Sequence, residues 1–419
     1  MRSTIGFPLL LIACFAGQVR AATTSAPAAV ATQPQKLGVA GFDRARYTPV
    51  IVRLSFTSTA AGDTASKAGM KGSFLDLTLI PLQGDLVGKR VEIPTSEFAG
   101  LLRSLYADLA RQAPLDVQNP QSASRRLYDL LIRPLLPDLN AAGATTLLIS
   151  ADPGLQAVPF AALHDGSQFF GEAYAFSLTP SIALTPLTPP SAGSKQDLAL
   201  GSSHFDGLAP LPLVPQELDQ LGRIDNAQTY LDRQFTPEVL LSKVADPSVD
   251  RVHVATHAEF LPGGPDKARV YTGNGPVPLR EFAGMRQRRE GQPLDLFILS
   301  ACRTALGDKD SELGFAGLAI QAGSRSAVGT IWYVDDVATS AFFVEFYRQL
   351  KAGLPKAEAM QATRRAFASG AVHLQVDRLV NAKGELLLKD LTPEQQRRIQ
   401  AGLTHPYFWA GIQLLGTPW

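Results

Sequence analysis

Cysteine is nearly missing from this 419-residue chain, which holds only Cys14 and Cys302. If Cys14 departs with a leader segment, no intramolecular disulfide can form, and the fold must rest on core burial. An excess of either charge is missing as well. Lys and Arg number 39 against 38 Asp and Glu, and no basic stripe breaks that balance, so the sequence offers no nucleic-acid footprint. After the first residues no apolar run is long and clean enough to span a bilayer, which argues against a helical membrane-spanning protein. No internal repeat marks a solenoid. No G-x-S-x-G elbow marks a serine hydrolase, and no phosphate-cradling loop marks a nucleotidase. Nothing asks for a cofactor. What is present is a globular composition, 45% hydrophobic and 18% charged, enough apolar material for one large core or two smaller ones.

The first residues carry an address. A positive charge in Met1-Arg-Ser-Thr precedes the apolar Ile5 to Gly17, too short for a comfortable transmembrane helix, and Gln18-Val-Arg-Ala21 then supplies a break. This is the three-part logic of a secretory signal peptide cleaved near Ala21, and it predicts an exported chain, periplasmic or extracellular. A second reading of the same segment stands beside it. Leu11-Ile-Ala-Cys14 fits a lipoprotein signal, in which Cys14 becomes a lipid anchor. Residues 22–36, rich in Ala, Thr, Ser, Pro and Gln, read as a flexible linker.

Residues 37–143 read as a small α+β module. Tyr47 to Phe56 and Phe74 to Ile80 carry the alternating and β-branched residues of strands. Thr95-Ser-Glu-Phe opens a helix, and a second helix is expected through about Ser122 to Leu139. From residue 144 the pattern becomes short apolar strands alternating with amphipathic helices. Strands are predicted at 145–150, 197–201, 251–256, 294–299, 326–332 and 410–415, and helices at about 215–221, 237–244, 312–322, 337–352 and 356–369. Strands joined by helical crossovers form a mostly parallel sheet covered on both faces, and reactive residues in such sheets gather past the carboxyl ends of the strands.

Two predicted strands end in reactive residues. Arg251-Val-His-Val-Ala-Thr runs into His257-Ala258, and Leu294-Asp-Leu-Phe-Ile-Leu-Ser-Ala runs into Cys302. If the two strands are neighbours, imidazole and thiol emerge at one edge of the sheet. Cysteine attack needs a thiolate, which a nearby imidazole supplies or stabilises.

The segments around these residues resemble the CHAT family of caspase-like domains. The resemblance runs, in order, through Asp152-Pro-Gly-Leu-Gln-Ala-Val-Pro-Phe-Ala-Ala-Leu163, Val252-His-Val-Ala-Thr-His-Ala258, Leu299-Ser-Ala-Cys-Arg-Thr-Ala-Leu-Gly307, Gly314 through Trp332-Tyr-Val-Asp-Asp336, and His405-Pro-Tyr-Phe-Trp-Ala410. It implies an α/β caspase-like three-layer sandwich over 144–419, preceded by the small α+β module. It also implies peptide-bond hydrolysis through a thioester on Cys302, with His257 as general base. The backbone N–H groups of Ala258 and Cys302 would form the oxyanion hole. Many relatives have Gly after the histidine, and alanine there would be strained if a positive φ were required. By likeness to separase, Asp336, beside Asp335, would receive a Lys or Arg side chain of a protein or peptide substrate. The same two aspartates also suit a plain role as caps of the helix that follows. Family members with tetratricopeptide helices in front sense intracellular partners; this sequence lacks those helices.

Blander readings set the remaining expectations. His253 and His257 are four apart, but Val254 stands where the zinc-protease helix motif needs Glu, so no metal site is expected and His253 is read as a packed residue. His405 is read as fixing the final turn. If basic residues are preferred, Lys309 in the loop after Cys302 becomes a point of self-cleavage. Residues 371–400 form a charged insert ahead of the last motif. The rival to a peptidase is a catalytically silent CHAT domain that binds or assembles proteins.

Overall fold

The computed structural model describes residues 49–58, 73–81, 83–179, 181–187, 196–260, 268–301, 314–333 and 335–419. The segments expected to be a leader and a linker, with Cys14, lie outside these residues, as do Cys302 and residues 303–313 with Lys309.

The strands are β1 (Pro49–Ser58), β2 (Ser73–Ile80), β3 (Val87–Glu92), β4 (Thr146–Ala151), β5 (Ala175–Thr179), β6 (Gln196–Gly201), β7 (Gln228–Leu231), β8 (Val249–Ala255), β9 (Ala258–Phe260), β10 (Ala268–Thr272), β11 (Gly275–Pro278), β12 (Leu296–Ser300), β13 (Ser326–Thr330), β14 (His373–Gln375), β15 (Arg378–Val380), β16 (Leu386–Leu388) and β17 (Ile412–Gly416). Eleven of them make one sheet in the order β3-β2-β1-β4-β5-β17-β13-β12-β8-β6-β7, while β9–β11 and β14–β16 make two small sheets. The large sheet is parallel except at β1–β2, β2–β3 and β13–β17. The longer helices are α1 (Thr95–Ala110), α2 (Ala123–Leu131), α3 (Val214–Asp225), α4 (Pro237–Ala245), α5 (Gly314–Gln321), α6 (Asp336–Lys351), α7 (Lys356–Ala368) and α8 (Pro393–Ile399).

Sequence explains the local choices. The central strands β4, β5, β13 and β17 are buried at every position, as near-continuous apolar runs between two layers must be. The outer β1–β3 wing alternates instead. Val50, Val52 and Leu54 bury one face while Arg53 and Ser55 stay partly exposed on the other. Helix α4 starts at Thr236, whose hydroxyl accepts from Val239 N, with Pro237 in the first turn. The helix expected through Leu139 breaks after α2, because Pro134 cannot continue the backbone ladder and a 3-10 turn over Arg133–Leu135 follows.

Strands of the module expected over 37–143 join the large sheet. Strand β1 pairs in parallel with β4 from Pro49↔Thr146 to Leu54↔Ala151, so the 143/144 boundary runs through one continuous sheet.

Helices cover both faces. His253 on β8 meets Glu217 on α3 and the rings of Phe343 and Tyr347 on α6. Phe297 on β12, whose neighbour Ile298 pairs with His253, turns the other way and meets Phe282. Phe342, Phe343 and Phe346 on α6 are fully buried, each contributing roughly 1.5–3 kcal/mol of burial. Arg364 on α7 is also fully buried. Its guanidinium lies 4.6 Å from the Phe176 ring centre, and its Nη2 donates to Ile412 O at 2.9 Å. Burial pushes Arg364 down to about 9.

The insert 371–400 carries a hairpin and a helix. At the hairpin tip Val376 has φ 61° and is 84% exposed. A β-branched residue in the left-handed region is strained and gains nothing there from burial. Val376→Gly is expected to raise stability by about 0.5–1 kcal/mol, read as an increase in the urea midpoint at unchanged slope.

Candidate active site

The carboxyl ends of β6, β8, β12 and β13 share one edge of the sheet, since these strands are mutually parallel. Their registers align the strand ends that precede the predicted residues. Ser300 pairs with Ala255; His257 follows Ala255 by two residues, and Cys302 follows Ser300 by two. Adjacent strands lie about 4.8 Å apart, so the described chain ahead of each reactive residue ends at the same level on neighbouring strands. Cys302 itself is outside the described residues. The chain that leads to it is anchored: Ala301 is 8% exposed, and its carbonyl accepts from Thr330 Oγ1 at 2.8 Å, tying the ends of β12 and β13 together.

His257 is held from both sides along its backbone. Thr256 N donates to Ser300 O at 3.3 Å, and His257 O accepts from Tyr271 N at 3.0 Å. The ring is half-buried. Its Nε2 lies 2.8 Å from Ala209 O, and the Phe205 ring packs against it at 4.7 Å. A carbonyl only accepts, so Nε2 carries the hydrogen and the neutral ring keeps its lone pair on Nδ1. Ala209 and Phe205 belong to a loop cinched at its root. Leu211 N donates to Ser203 O at 2.9 Å, and Ser203 N and Oγ donate to Asp232 at 2.7 and 2.9 Å. Burial works to raise the Asp232 carboxyl, but the bonds from Ser203 and the nearby His204 together hold it below its ordinary value.

Ala258 opens β9 opposite Val270 without a positive φ. Alanine is therefore unstrained at the position after the histidine.

His253 is not part of this cluster. It is fully buried, with Nε2 2.7 Å from Glu217 Oε1, and Ser340 Oγ donates to Glu217 Oε2 at 2.6 Å. That network clamps α3 and α6 onto β8, the strand that leads to His257. Among the described residues no three His, Cys, Asp or Glu side chains converge as a metal site.

Asp335 and Asp336 follow β13 at the same edge. Asp335 caps α6, with Oδ1 accepting from Val337 N at 2.9 Å and Ala338 N at 3.2 Å. Burial raises its carboxyl, and Arg398 opposes the rise. Arg398 Nε is 3.1 Å from Asp335 Oδ2, and its Nη2 bonds Asp336 Oδ1. Just before this pair, Trp332 donates through Nε1 to Tyr407 O at 3.0 Å, and its ring leaves no room for a Cβ on Gly411.

His405 fixes the closing turn: Nε2 contacts Ala113 O at 2.9 Å, and Nδ1 accepts from Tyr407 N at 3.2 Å. Burial holds its pKa below the ordinary 6.5. A depressed histidine contributes stability that is present above the unfolded value and lost as pH falls through the folded one. Acidification from about pH 7.5 to pH 5 should therefore lower the urea midpoint of the wild type by more than that of His405→Asn.

Two residues here were not identified from sequence. The Ala209 carbonyl has no side-chain signature, and Arg398 pairs with an acid 62 residues away. The model of the CHAT domain family matches residues 121–417, and the chain belongs to that family. Among solved structures, the chain is similar to separase in the Saccharomyces cerevisiae separase–securin complex. There the identity is 11%, the TM-score 0.48, and the match covers 89% of this chain and 30% of that one. It is also similar to gingipain R, an Arg-specific cysteine proteinase, at 10% identity and TM-score 0.39, over 77% of this chain and 75% of that one. The match thus spans less than a third of the separase chain. No curated protein sequence matches this chain.

Proposed function

We propose that this chain is an exported cysteine endopeptidase in which His257 is the general base and Cys302 the nucleophile. One observation carries the reading: Nε2 of His257 is engaged by Ala209 O, which leaves Nδ1 free to act as the base just past β8, the parallel neighbour of the strand that precedes Cys302. In this scheme Nδ1 takes the thiol proton, and the thiolate attacks the scissile carbonyl carbon. The N–H groups of Ala258 and Cys302 receive the developing oxyanion. The C–N bond then breaks as Nδ1–H returns the proton to the leaving amine, and a thioester remains. Water, deprotonated by Nδ1, hydrolyses it and restores the thiol. Throughout, Nε2–H keeps its bond to Ala209 O, which stabilises the imidazolium. The substrate is a protein or peptide with a basic residue before the scissile bond, read by Asp336. Export rests on the segment 1–21, with the lipid anchor at Cys14 as the competing fate of the same segment.

The test uses mature wild type, Cys302→Ala and His257→Ala, each incubated with a mixed peptide library with and without calcium, and cuts mapped by mass spectrometry. Cuts after basic residues, lost in both variants, are expected. A wild type that cuts nothing in any condition, with an unreactive Cys302, would replace this reading by the silent binding module.

A further inference from the structure

Arg398 lies on α8, inside the insert 371–400, and sits on both carboxylates of the acidic pair. Its Nε is 3.1 Å from Asp335 Oδ2, and its Nη2 bonds Asp336 Oδ1. Resting on the reading of Asp336 as the acid that receives a basic substrate side chain, we infer that Arg398 is an internal occupant of that subsite, which every basic substrate must displace.

Three features carry this. The contact joins the insert to the start of α6 across 62 residues of sequence, so it is not a neighbour pair on one solvated helix face. Asp335 does not need the guanidinium to do its capping, since Oδ1 already takes Val337 N and Ala338 N. A planar fork that engages two different carboxylates is the geometry of an arginine ligand, and a lysine could not reproduce it.

The insert also stays docked without Arg398. Gln216 on α3 exchanges two hydrogen bonds with the Lys389 backbone, at 2.9 and 3.0 Å. Asn381 donates to Glu345 Oε2 on α6 at 3.1 Å. Ile399 and Leu391 are 1% and 3% exposed, so α8 is pinned by burial on either side of the arginine. The Arg398 side chain itself is 43% exposed. It can leave the acids by a change of rotamer while its helix remains in place. A group tethered in this way acts at an effective concentration of roughly millimolar or more. Arg398 is therefore a built-in competitor that raises the apparent KM for basic substrates, and it needs no undocking of the insert to release.

Isothermal titration of the full chain with N-acetyl-arginine amide tests this, with N-acetyl-leucine amide as control. Arg398→Ala is expected to bind the arginine probe about tenfold or more tighter than wild type, with Arg398→Lys between them. Arg398→Ala/Asp336→Asn should lose the gain, and the leucine probe should respond to none of these changes. Equal binding by wild type and Arg398→Ala, or a gain that survives Asp336→Asn, overturns the inference. Should Arg398→Ala fail to fold, the same comparison is read from Arg398→Lys with and without Asp336→Asn. Hydrolysis is scored separately. Tighter arginine binding without any cleavage keeps the occupant and removes the peptidase reading. Cleavage whose KM ignores Arg398 does the reverse.

Discussion

His257→Ala is expected to lower peptide hydrolysis by about 10²–10⁴-fold, the span that a positioned general base supplies, with the fold preserved. The ring is only half-buried, and its described contacts are the Ala209 carbonyl and the Phe205 ring. Removing it leaves one backbone carbonyl at a loop to find water and opens no deep cavity. The backbone bonds that shape the edge, Thr256 N to Ser300 O and Tyr271 N to His257 O, need no imidazole. Loss of rate with an unchanged urea midpoint separates chemistry from stability. A rate within a few-fold of wild type would remove His257 from the mechanism.

Arg289→Met is expected to have the largest effect on stability, about 3–5 kcal/mol, measured by urea unfolding. Arg289 is 1% exposed, and among the described residues its donors go to carbonyls rather than to a carboxylate. Nε donates to Gln292 O at 2.8 Å, Nη1 to Val244 O at 2.9 Å and Asp246 O at 2.6 Å, and Nη2 to Val249 O at 2.7 Å. Burial pushes its pKa down, opposed by Asp250 and Asp246. Methionine fills the stem's volume but strips all four carbonyls of the guanidinium; Asp246 O keeps Val249 N, while a buried acceptor left unpaired costs roughly 1–3 kcal/mol, not additively. Since whole domains hold only about 5–15 kcal/mol, the loss takes much of the total. The site feels it too. Three of the carbonyls, of Val244, Asp246 and Val249, lie at the end of α4 and the start of β8, the strand that leads to His257. Arg289→Lys should recover only part, because an ammonium cannot span the same acceptors. A change below about 1 kcal/mol for methionine would contradict this account.

The parts of the fold legible in the sequence are those whose burial imposes a pattern. Strand β12 is apolar on both faces and β8 is buried from Val252 to Ala255, because both faces are covered. Their runs therefore stand out, and pattern alone is enough to expect the two strands that precede His257 and Cys302, which are parallel neighbours. Helices α6 and α7 show for the same reason. Strand β7, Gln228–Leu231, and the hairpin around Val376 do not, because their residues are partly exposed or alternate too briefly to make a period. The parts of the site that hang on long-range contacts are equally hidden. Any residue could have supplied the carbonyl that Ala209 gives His257. Nothing near Arg398 in the chain names Asp335 or Asp336, and nothing near His253 names Glu217 on α3. Of the two roles that the sequence leaves open for Asp335, capping is observed in its hydrogen bonds, while the pair's exposed side is taken by Arg398.

The central claim is that His257 activates Cys302, and the pH dependence of Cys302 alkylation tests it without any assumption about substrate. Iodoacetamide labelling of the mature chain would be followed by mass spectrometry, wild type beside His257→Ala. An imidazole-paired thiol should react with a midpoint well below the free-cysteine value of about 8.5, and the variant should shift back toward that value. Identical profiles in the two proteins, or a thiol that stays inert at every pH, would contradict the account.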